Sequence, residues 1–202
     1  PIGIFVKKDS SAKTLQELIA QIKAAPGNMT NGHGGVGSTS HVSCLLFTSL
    51  IEGRGTLVGY RGSGPALNDL ITGQYDYMCD QIPHTVGHVD AGSIRLLALA
   101  QTERSPVVPR VPTTIEAGLP QMQASGWNAM FAPKGTPKAI IDKLADAAAK
   151  AFEDPDTRKR LADLGAVIPP PERRGPEALR KFVAAEVAKW TPVIRQAGNT
   201  GK

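Results

Sequence analysis

The segment that most constrains the fold is the apolar run at residues 94–100, IRLLALA, which only Arg95 interrupts. A strand with one wet face would alternate apolar and polar residues, whereas a continuous apolar run predicts a strand buried on both faces. Such strands are typical of parallel sheets covered by helices on both sides. The run therefore predicts an α/β fold.

Strand and helix signals alternate along the rest of the chain. Thr14-x-x-Glu17 is a capping box, and the apolar stripe that follows it predicts a helix ending at Pro26. Further strands are expected at residues 2–6, 56–60, 75–79 and 125–132. A second helix is expected after the glycine turn, with Val42, Leu45 and Leu46 inward. Further helices are expected before Gly73, at 113–118, at 137–153 (Ile140, Ile141, Leu144 and Phe152 inward), at 154–165 and after 171. Residues 101–112, which contain three prolines, predict a long surface loop.

Composition excludes several classes of protein. The chain has 202 residues and 41% hydrophobic content, enough for one or two ordinary cores. Its net charge is +5, but the basic residues are scattered and aromatic residues make up only 5%. This composition lacks the basic and aromatic signature of single-strand nucleic-acid binding, so no nucleic-acid partner is expected. No apolar run reaches the ~18 residues that span a bilayer.

The first residues suggest that the sequence begins inside a larger protein. Pro1 replaces the usual methionine, and a strand is already in progress at residue 2. We expect any targeting signal to have been removed or to lie upstream.

Two cysteines, Cys44 and Cys79, leave two possibilities open. A disulfide between them would suit an oxidising compartment. Both also lie at positions typical of small buried thiols, and sequence cannot establish the required Cβ geometry.

A glycine-rich turn at residues 32–41, GHGGVGSTSH, leads directly into the second predicted helix. A turn of this kind presents backbone N–H groups at a helix N-terminus, where the helix dipole favours negative charge. We therefore expect an anion there. The structural alternative is a tight turn in which Ser38 or Ser40 only caps the helix.

The same turn matches two nucleotide-binding patterns. Gly32-x-Gly34-x-x-Gly37 satisfies the dinucleotide fingerprint, with Glu52 near the expected acidic position. However, residues 28–31 are too polar to predict a well-buried first strand. The spacing also resembles a P-loop, but Ser38 occupies the position of the phosphate-binding lysine. A nucleotide-binding enzyme remains an alternative, while a single carboxylate needs only a few N–H donors and a hydroxyl.

Other signals for catalysis or metal binding are weak. The chain has no Gly-x-Ser-x-Gly elbow, and a serine next to His41 in sequence is no evidence for a triad. His84 and His88 have helical i, i+4 spacing, but they lack an intervening Glu and a convincing third ligand. We expect no catalytic residue, cofactor or metal ion.

Several ordered motifs resemble the Bug family, the extracytoplasmic solute receptors of tripartite tricarboxylate transporters. They are GVGSTSH at 35–41, YRGSGPALNDL at 60–70, GQYDYMCDQ at 73–81, AGSIRLLA at 91–98, VPTTIEAG at 111–118, Trp127 with FAPKGTP at 131–137, and EVAKW at 186–190. The likeness extends to about residue 198.

The resemblance implies a type II periplasmic-binding-protein fold, in which two α/β lobes with parallel or mixed sheets flank a ligand cleft. Residues 7–126 would form a complete lobe two, 1–6 and 127–132 the crossing strands, and 133–202 the C-terminal part of lobe one. Lobe one would be partial. Exposed apolar edges would follow, and these favour a strand-exchanged dimer.

The resemblance also implies capture of a small carboxylate without chemistry, followed by delivery to integral membrane transporter subunits from the periplasm. Candidate ligand-binding residues are Gly35, Gly37, Ser38, Thr39, His41, Asp80, Gln81 and Trp127. His41 would contact the ligand directly, or pack locally and hold the glycine turn by a hydrogen bond. Trp127 would wall the cleft or lie in the core. Asp80 would orient a loop or a donor group of the ligand, or lie solvated at a strand end. An interaction module is a further alternative.

Overall fold

The structure, a computed structural model, describes residues 1–198; residues 199–202, the end of the expected lobe-one range, lie outside the described residues. The strands are β1 (Ile2–Lys7), β2 (Thr30–His33), β3 (Thr56–Gly59), β4 (Tyr77–Gln81) and β5 (Ile94–Leu99). The α-helices are α1 (Leu15–Ala24), α2 (Thr39–Leu50), α3 (Ser63–Thr72), α4 (Ile82–Asp90), α5 (Lys138–Glu153), α6 (Pro155–Asp163) and α7 (Pro176–Gly198), with a 3-10 turn at Pro171–Arg173.

The five strands form one mixed sheet in the order β3-β2-β4-β1-β5. β2 pairs in parallel with β3 and β4, whereas β1 pairs antiparallel with both β4 and β5. The α/β class predicted from the apolar run is confirmed, but the parallel pairing of that run is wrong. β5 is buried on both faces because separate cores cover them, and those cores do not depend on strand direction.

One core lies on each face of the sheet. α1 and α2 cover the first face with Leu15, Leu18, Ile22 and Phe47, and the stripe predicted for α1 is confirmed together with its Thr14 cap. Residues of α3 and α4 cover the second face, including Leu70 and Ile82. Gly73 ends α3 in the left-handed conformation (φ +78°), as its position predicts.

The polar segment before the glycine turn forms strand β2, contrary to the sequence-based expectation. Asn31 is buried and donates from Nδ2 to the Tyr77 hydroxyl (3.1 Å). Asp76 Oδ2 accepts from both the amide and the hydroxyl of Thr30. The strand tolerates burial because neighbouring side chains satisfy most of its polar groups.

The buried face of α2 also differs from the prediction. Ser40, Ser43, Cys44 and Phe47 face the core, whereas Val42, Leu45 and Leu46 are only partly buried. Three of these four inner residues are small, which suits the packing of α2 on β2 and β4.

Two predicted elements are not regular structure. Thr113 and Glu116 exchange the hydrogen bonds of a capping box, but residues 113–118 form turns instead of a helix. Residues 125–132 form no strand. Residues 2–6 do form a strand, and it lies inside the sheet.

The C-terminal helices leave apolar side chains exposed. Ile140 and Leu144, predicted to face inward from α5, are 50% and 40% exposed, and α5 buries none of its residues. Leu164 and Val167 are also exposed. The expected exposed apolar surface is therefore present, while strand exchange stays a prediction.

Both cysteines are buried and free. No helix in the described part of the chain has the length and apolarity that crossing a membrane requires.

Candidate anion-binding site

The glycine turn lies at the carboxyl ends of the parallel strands, where β2 leads into α2. The neighbouring connection from β3 brings the N-terminus of α3 against it. The Gly62 amide donates to the Gly34 carbonyl (3.2 Å), and a Cβ on Gly34 would lie 3.0 Å from the Ser63 nitrogen. Two helix N-termini therefore meet at the edge of the sheet where open α/β folds bind ligands.

Local structure explains why glycine occupies each of the three positions of the dinucleotide pattern. A Cβ on Gly32 would overlap the Tyr75 ring, Gly34 approaches α3, and Gly37 has a φ of +80°. Glu52 lies two residues past the end of α2, a 12-residue helix that is roughly 18 Å long and starts at the turn. A ribose held at the turn would therefore have no acidic partner in Glu52.

Several amides of the turn are already bonded to the protein. The Gly37 amide donates to His41 Nδ1 (3.1 Å), and the Ser38 amide donates to the Gly35 carbonyl (3.1 Å). Ser38 Oγ caps α2 by accepting from the His41 amide, so the capping alternative is confirmed for Ser38. We expected the Gly37 and Ser38 amides to donate to a ligand. That expectation is wrong, because both amides already donate to acceptors in the protein.

Thr39 supplies the first helical amide of α2. The amides of the first helical turn have no acceptor inside their own helix. Within residues 1–198 the Thr39 N–H has no other acceptor either. Thr39 also lines the adjacent cavity. Of the amides named in the sequence analysis, this one is free to bind an anion.

His41 and His33 lie in contact beside the turn, with ring centroids 4.5 Å apart and ring planes inclined by 42°. Each imidazole accepts a backbone amide at Nδ1, from Gly37 and Gly35 respectively, so each neutral ring carries its proton on Nε2. Burial, and then the nearby His33, lower the pKa of His41. His41 thus stays neutral and presents one N–H donor.

Asp80 is buried at the end of β4 and is not solvated, contrary to one of our two expectations. Its Oδ1 accepts from the Gln81 amide (2.7 Å), whereas Oδ2 has no hydrogen-bond partner. Burial raises the pKa of Asp80, and the nearby Ser63 side chain, the Gln81 amide and His84 partly oppose that rise. Asp80 therefore lies near the start of α3, and its carboxylate accepts its hydrogen bond within β4, from the Gln81 amide. The Gln81 side chain packs against Gly126 instead.

A cavity of about 470 Å³ opens beside the turn, between α2 and α7. Its described lining includes three predicted residues, Gly37, Thr39 and Trp127. The lining is completed by Val42, Ser43, Ser125, Gly126, Glu186, Val187, Trp190, Thr191 and Ile194. The volume falls within the ~300–1,000 Å³ typical of small-molecule sites.

Glu186 joins the two tryptophans that wall this cavity. Its Oε2 accepts from Trp127 Nε1 (3.1 Å) and from Trp190 Nε1 (3.0 Å). Trp127 also packs edge-to-face on Phe182, and it is 37% exposed, so it walls the cavity and is not a core residue. Sequence reasoning missed Glu186, because only the fold brings residues 127 and 186 together.

Metal binding finds no support within residues 1–198, where no group of three or more His, Cys, Asp and Glu side chains is placed around one point. His84 and His88 lie on α4 without a third ligand there.

The family model described as "Tripartite tricarboxylate transporter family receptor" matches residues 1–199. Among curated proteins, the chain is 37% identical over 198 residues to the UPF0065 protein in the TAR-I ttuE-ttuC' intergenic region of Agrobacterium vitis. It is 33% identical over 198 residues to protein BugT of Bordetella pertussis. Each match covers 98% of this chain but only 57% and 60% of the relative.

Solved structures give the same result. MatC from Rhodopseudomonas palustris with bound malate matches with a TM-score of 0.92 and 42% identity, covering 96% of this chain and 66% of MatC. A second R. palustris protein, with adipate, matches at 0.88 and 30% identity, covering 98% and 65%.

These matches confirm the mixed α/β fold of periplasmic binding proteins, and they give the nucleotide-enzyme alternative no support. A family match over almost the whole chain agrees with the motifs at the turn and along the sheet. The chain belongs to the tripartite tricarboxylate transporter receptor family, which includes the Bug proteins.

Proposed function

We propose that the chain is the ligand-binding part of a periplasmic receptor that captures a small organic carboxylate for a tripartite tricarboxylate transporter. The observation that carries this proposal is the unbonded amide of Thr39, a residue that lines the cavity at the positive end of α2. Relatives of known structure, with malate and with adipate, support a carboxylate as the ligand.

Binding requires no chemistry at the site. The Thr39 amide donates to one carboxylate oxygen, and the Thr39 hydroxyl and His41 Nε2 are further donors near the turn. Trp127 covers the apolar part of the ligand. Gly35 and Gly37 shape the turn with φ values of +118° and +80°. Asp80 and Gln81 do not line the cavity, so they support the site without contacting the ligand.

Delivery depends on surfaces outside the cavity. Closure of two lobes around the acid would present a new surface to the integral membrane subunits. Val36 lies at the tip of the turn and is 91% exposed, which suits a residue that meets an opposing lobe on closure.

Thr39→Pro is a specific test, because proline removes the N–H and is well tolerated at the first position of a helix. The preceding Ser38 has a ψ of 161°, as a residue before proline requires. We expect Thr39→Pro to weaken malate or adipate binding about 10- to 100-fold, the effect of losing one hydrogen bond to a charged group. Isothermal titration calorimetry measures this, with melting temperature as the check on folding.

The matched control is Thr39→Ala, which removes the hydroxyl and keeps the amide. Equal losses in the two variants would contradict the role of the amide. The chain spans less than two thirds of its relatives, so both variants should be tested alone and within the longest natural protein that contains it. Stabilisation by NAD or ATP but by no carboxylate would favour the enzyme alternative, and binding of neither class would favour an interaction module.

A further inference from the structure

The cavity carries one charge whose role the capture of a carboxylate does not explain. Glu186 is the sole charged side chain among the described residues that line it. The nearest cation on the same helix, Lys189, stacks over the Trp190 ring at 5.2 Å and is not among those lining residues. A receptor for anions thus places a carboxylate in the wall of its own cavity.

The hydrogen bonds of Glu186 leave half of the carboxylate unused. Oε2 accepts both indole N–H groups, while Oε1 takes part in no hydrogen bond or ion pair within the described residues. The two indoles fix the position of the carboxylate, which lowers the entropy cost of a further bond. An acceptor held in this way suits a ligand group that donates a hydrogen bond.

The two ends of the cavity therefore differ in polarity. The Thr39 side, at the N-terminus of α2, favours a carboxylate, whereas the Glu186 side repels one and attracts an N–H or O–H donor. The volume of about 470 Å³ accommodates a small acid, and Thr39 and Glu186 both line it.

Building on the function proposed above, we propose that Glu186 determines specificity: the receptor selects an acid that carries an ammonium or hydroxyl group over the same acid without one. The carboxylate of the ligand faces Thr39, and its donor group faces Glu186 Oε1. Glu186 also positions Trp127, but its charge, not only its hydrogen bonds, sets the selectivity.

Three four-carbon acids test this inference, because succinate, malate and aspartate differ only in the hydrogen, hydroxyl or ammonium on the second carbon. Calorimetry with the unmodified protein should give tighter binding of aspartate and malate than of succinate, by about tenfold for a charge-assisted hydrogen bond. Equal affinities for the three acids would overturn the inference without any variant.

Glu186→Gln then separates charge from structure. The glutamine oxygen can still accept from both indoles, so the Trp127 wall should be retained, while the amide nitrogen now offers a donor to a second carboxylate. We expect the preference for aspartate over succinate to fall about tenfold or to reverse. Unchanged tryptophan fluorescence and melting temperature would establish that the wall is intact.

The matched control is Glu177→Gln, which removes the same charge from α7 outside the cavity, where Glu177 pairs with Arg180. Its ligand preference should match that of the unmodified protein. If Glu186→Gln keeps the original ratio while the acids still bind, the inference is wrong and the proposed function stands. If no carboxylate binds the longest natural form, both are wrong.

Discussion

His41 Nδ1 accepts the backbone amide of Gly37 at 3.1 Å, so a side chain in the first turn of α2 holds the glycine turn that precedes it. A protonated imidazole cannot accept this bond. Because burial and His33 lower the pKa of His41 in the folded state, its stabilising contribution is present above about pH 6.5, the unfolded value, and is lost as pH falls through the folded pKa.

Replacing His41 with alanine should therefore cost about 1 kcal/mol at pH 7.5, the worth of one hydrogen bond, and should reduce the loss of stability on acidification between pH 7 and 5. Urea unfolding across this pH range measures both effects. His88→Ala is the control, since this partly buried imidazole on α4 makes no hydrogen bond within residues 1–198. An identical pH slope in the unmodified protein and in His41→Ala would count against the role of His41.

Gly37→Ala should destabilise the protein by about 1–2 kcal/mol, because an L-residue at a φ of +80° is strained even where its Cβ meets open space. The strain should also weaken carboxylate binding by displacing Thr39. Gly87→Ala provides the contrast: Gly87 lies inside α4 with open space around it, so alanine should stabilise the protein by about 0.5–1 kcal/mol. Thermal melts of both variants check the opposite signs.

Asp80→Asn should change the response of stability to pH. The folded-state pKa of Asp80 is raised, mainly by burial, so its contribution is fully present below the unfolded value of 3.8 and is lost as pH rises through the folded pKa. Asparagine stays neutral, keeps the acceptor for the Gln81 amide and can donate to Ser63. At pH 7 we expect Asp80→Asn to be about 1 kcal/mol more stable than the unmodified protein.

Denaturant titrations at pH 4, 5.5 and 7 compare Asp80→Asn with Asp90→Asn, an exposed carboxyl at the end of α4. A variant that is less stable than the unmodified protein at pH 7 would mean that the Asp80 charge is compensated, and the account given above would be wrong.

Cys44 and Cys79 should both resist thiol reagents in the native protein. Both are buried, and burial raises the pKa of Cys79 well above its ordinary value, so its reactive thiolate is scarce. Labelling with a thiol-reactive dye should be slow until urea is added and should then reach two groups per chain. Fast native labelling of either cysteine would contradict the packing of α2 on β4.

Local signals in the sequence were enough to predict α1, whose cap and stripe are satisfied within one helix. They were also enough to predict the end of α3, since Gly73 takes the one conformation that glycine permits cheaply. The capping box at Thr113 shows the limit: its two bonds form, but Gly118 and Pro120 end the segment within two turns. A short polar strand such as β2 also escapes prediction, because its burial depends on Tyr77 and Asp76 from another part of the chain.

In the candidate site, too, the features set by neighbouring residues could be predicted, and those set by distant contacts could not. The glycine turn and the N-terminus of α2 that follows it are encoded by neighbouring residues. Gly37 and Thr39 could therefore be chosen as candidates from the sequence. Which amides stay unbonded depends on which of its two expected roles His41 takes, and the sequence leaves that choice open; in the structure His41 holds the turn through the Gly37 amide. Glu186 depends on a contact between Trp127 and a helix that begins 49 residues later, at Pro176.

The place of β1 in the sheet has a consequence for synthesis. β1 is an interior strand whose two partners follow it in sequence, so Ile4 is paired on both edges only after Cys79 and Ala98 have been synthesised. Pairings so distant in sequence form slowly. Until those partners arrive, β1 is an apolar strand with unpaired backbone edges, open to other polypeptides such as chaperones.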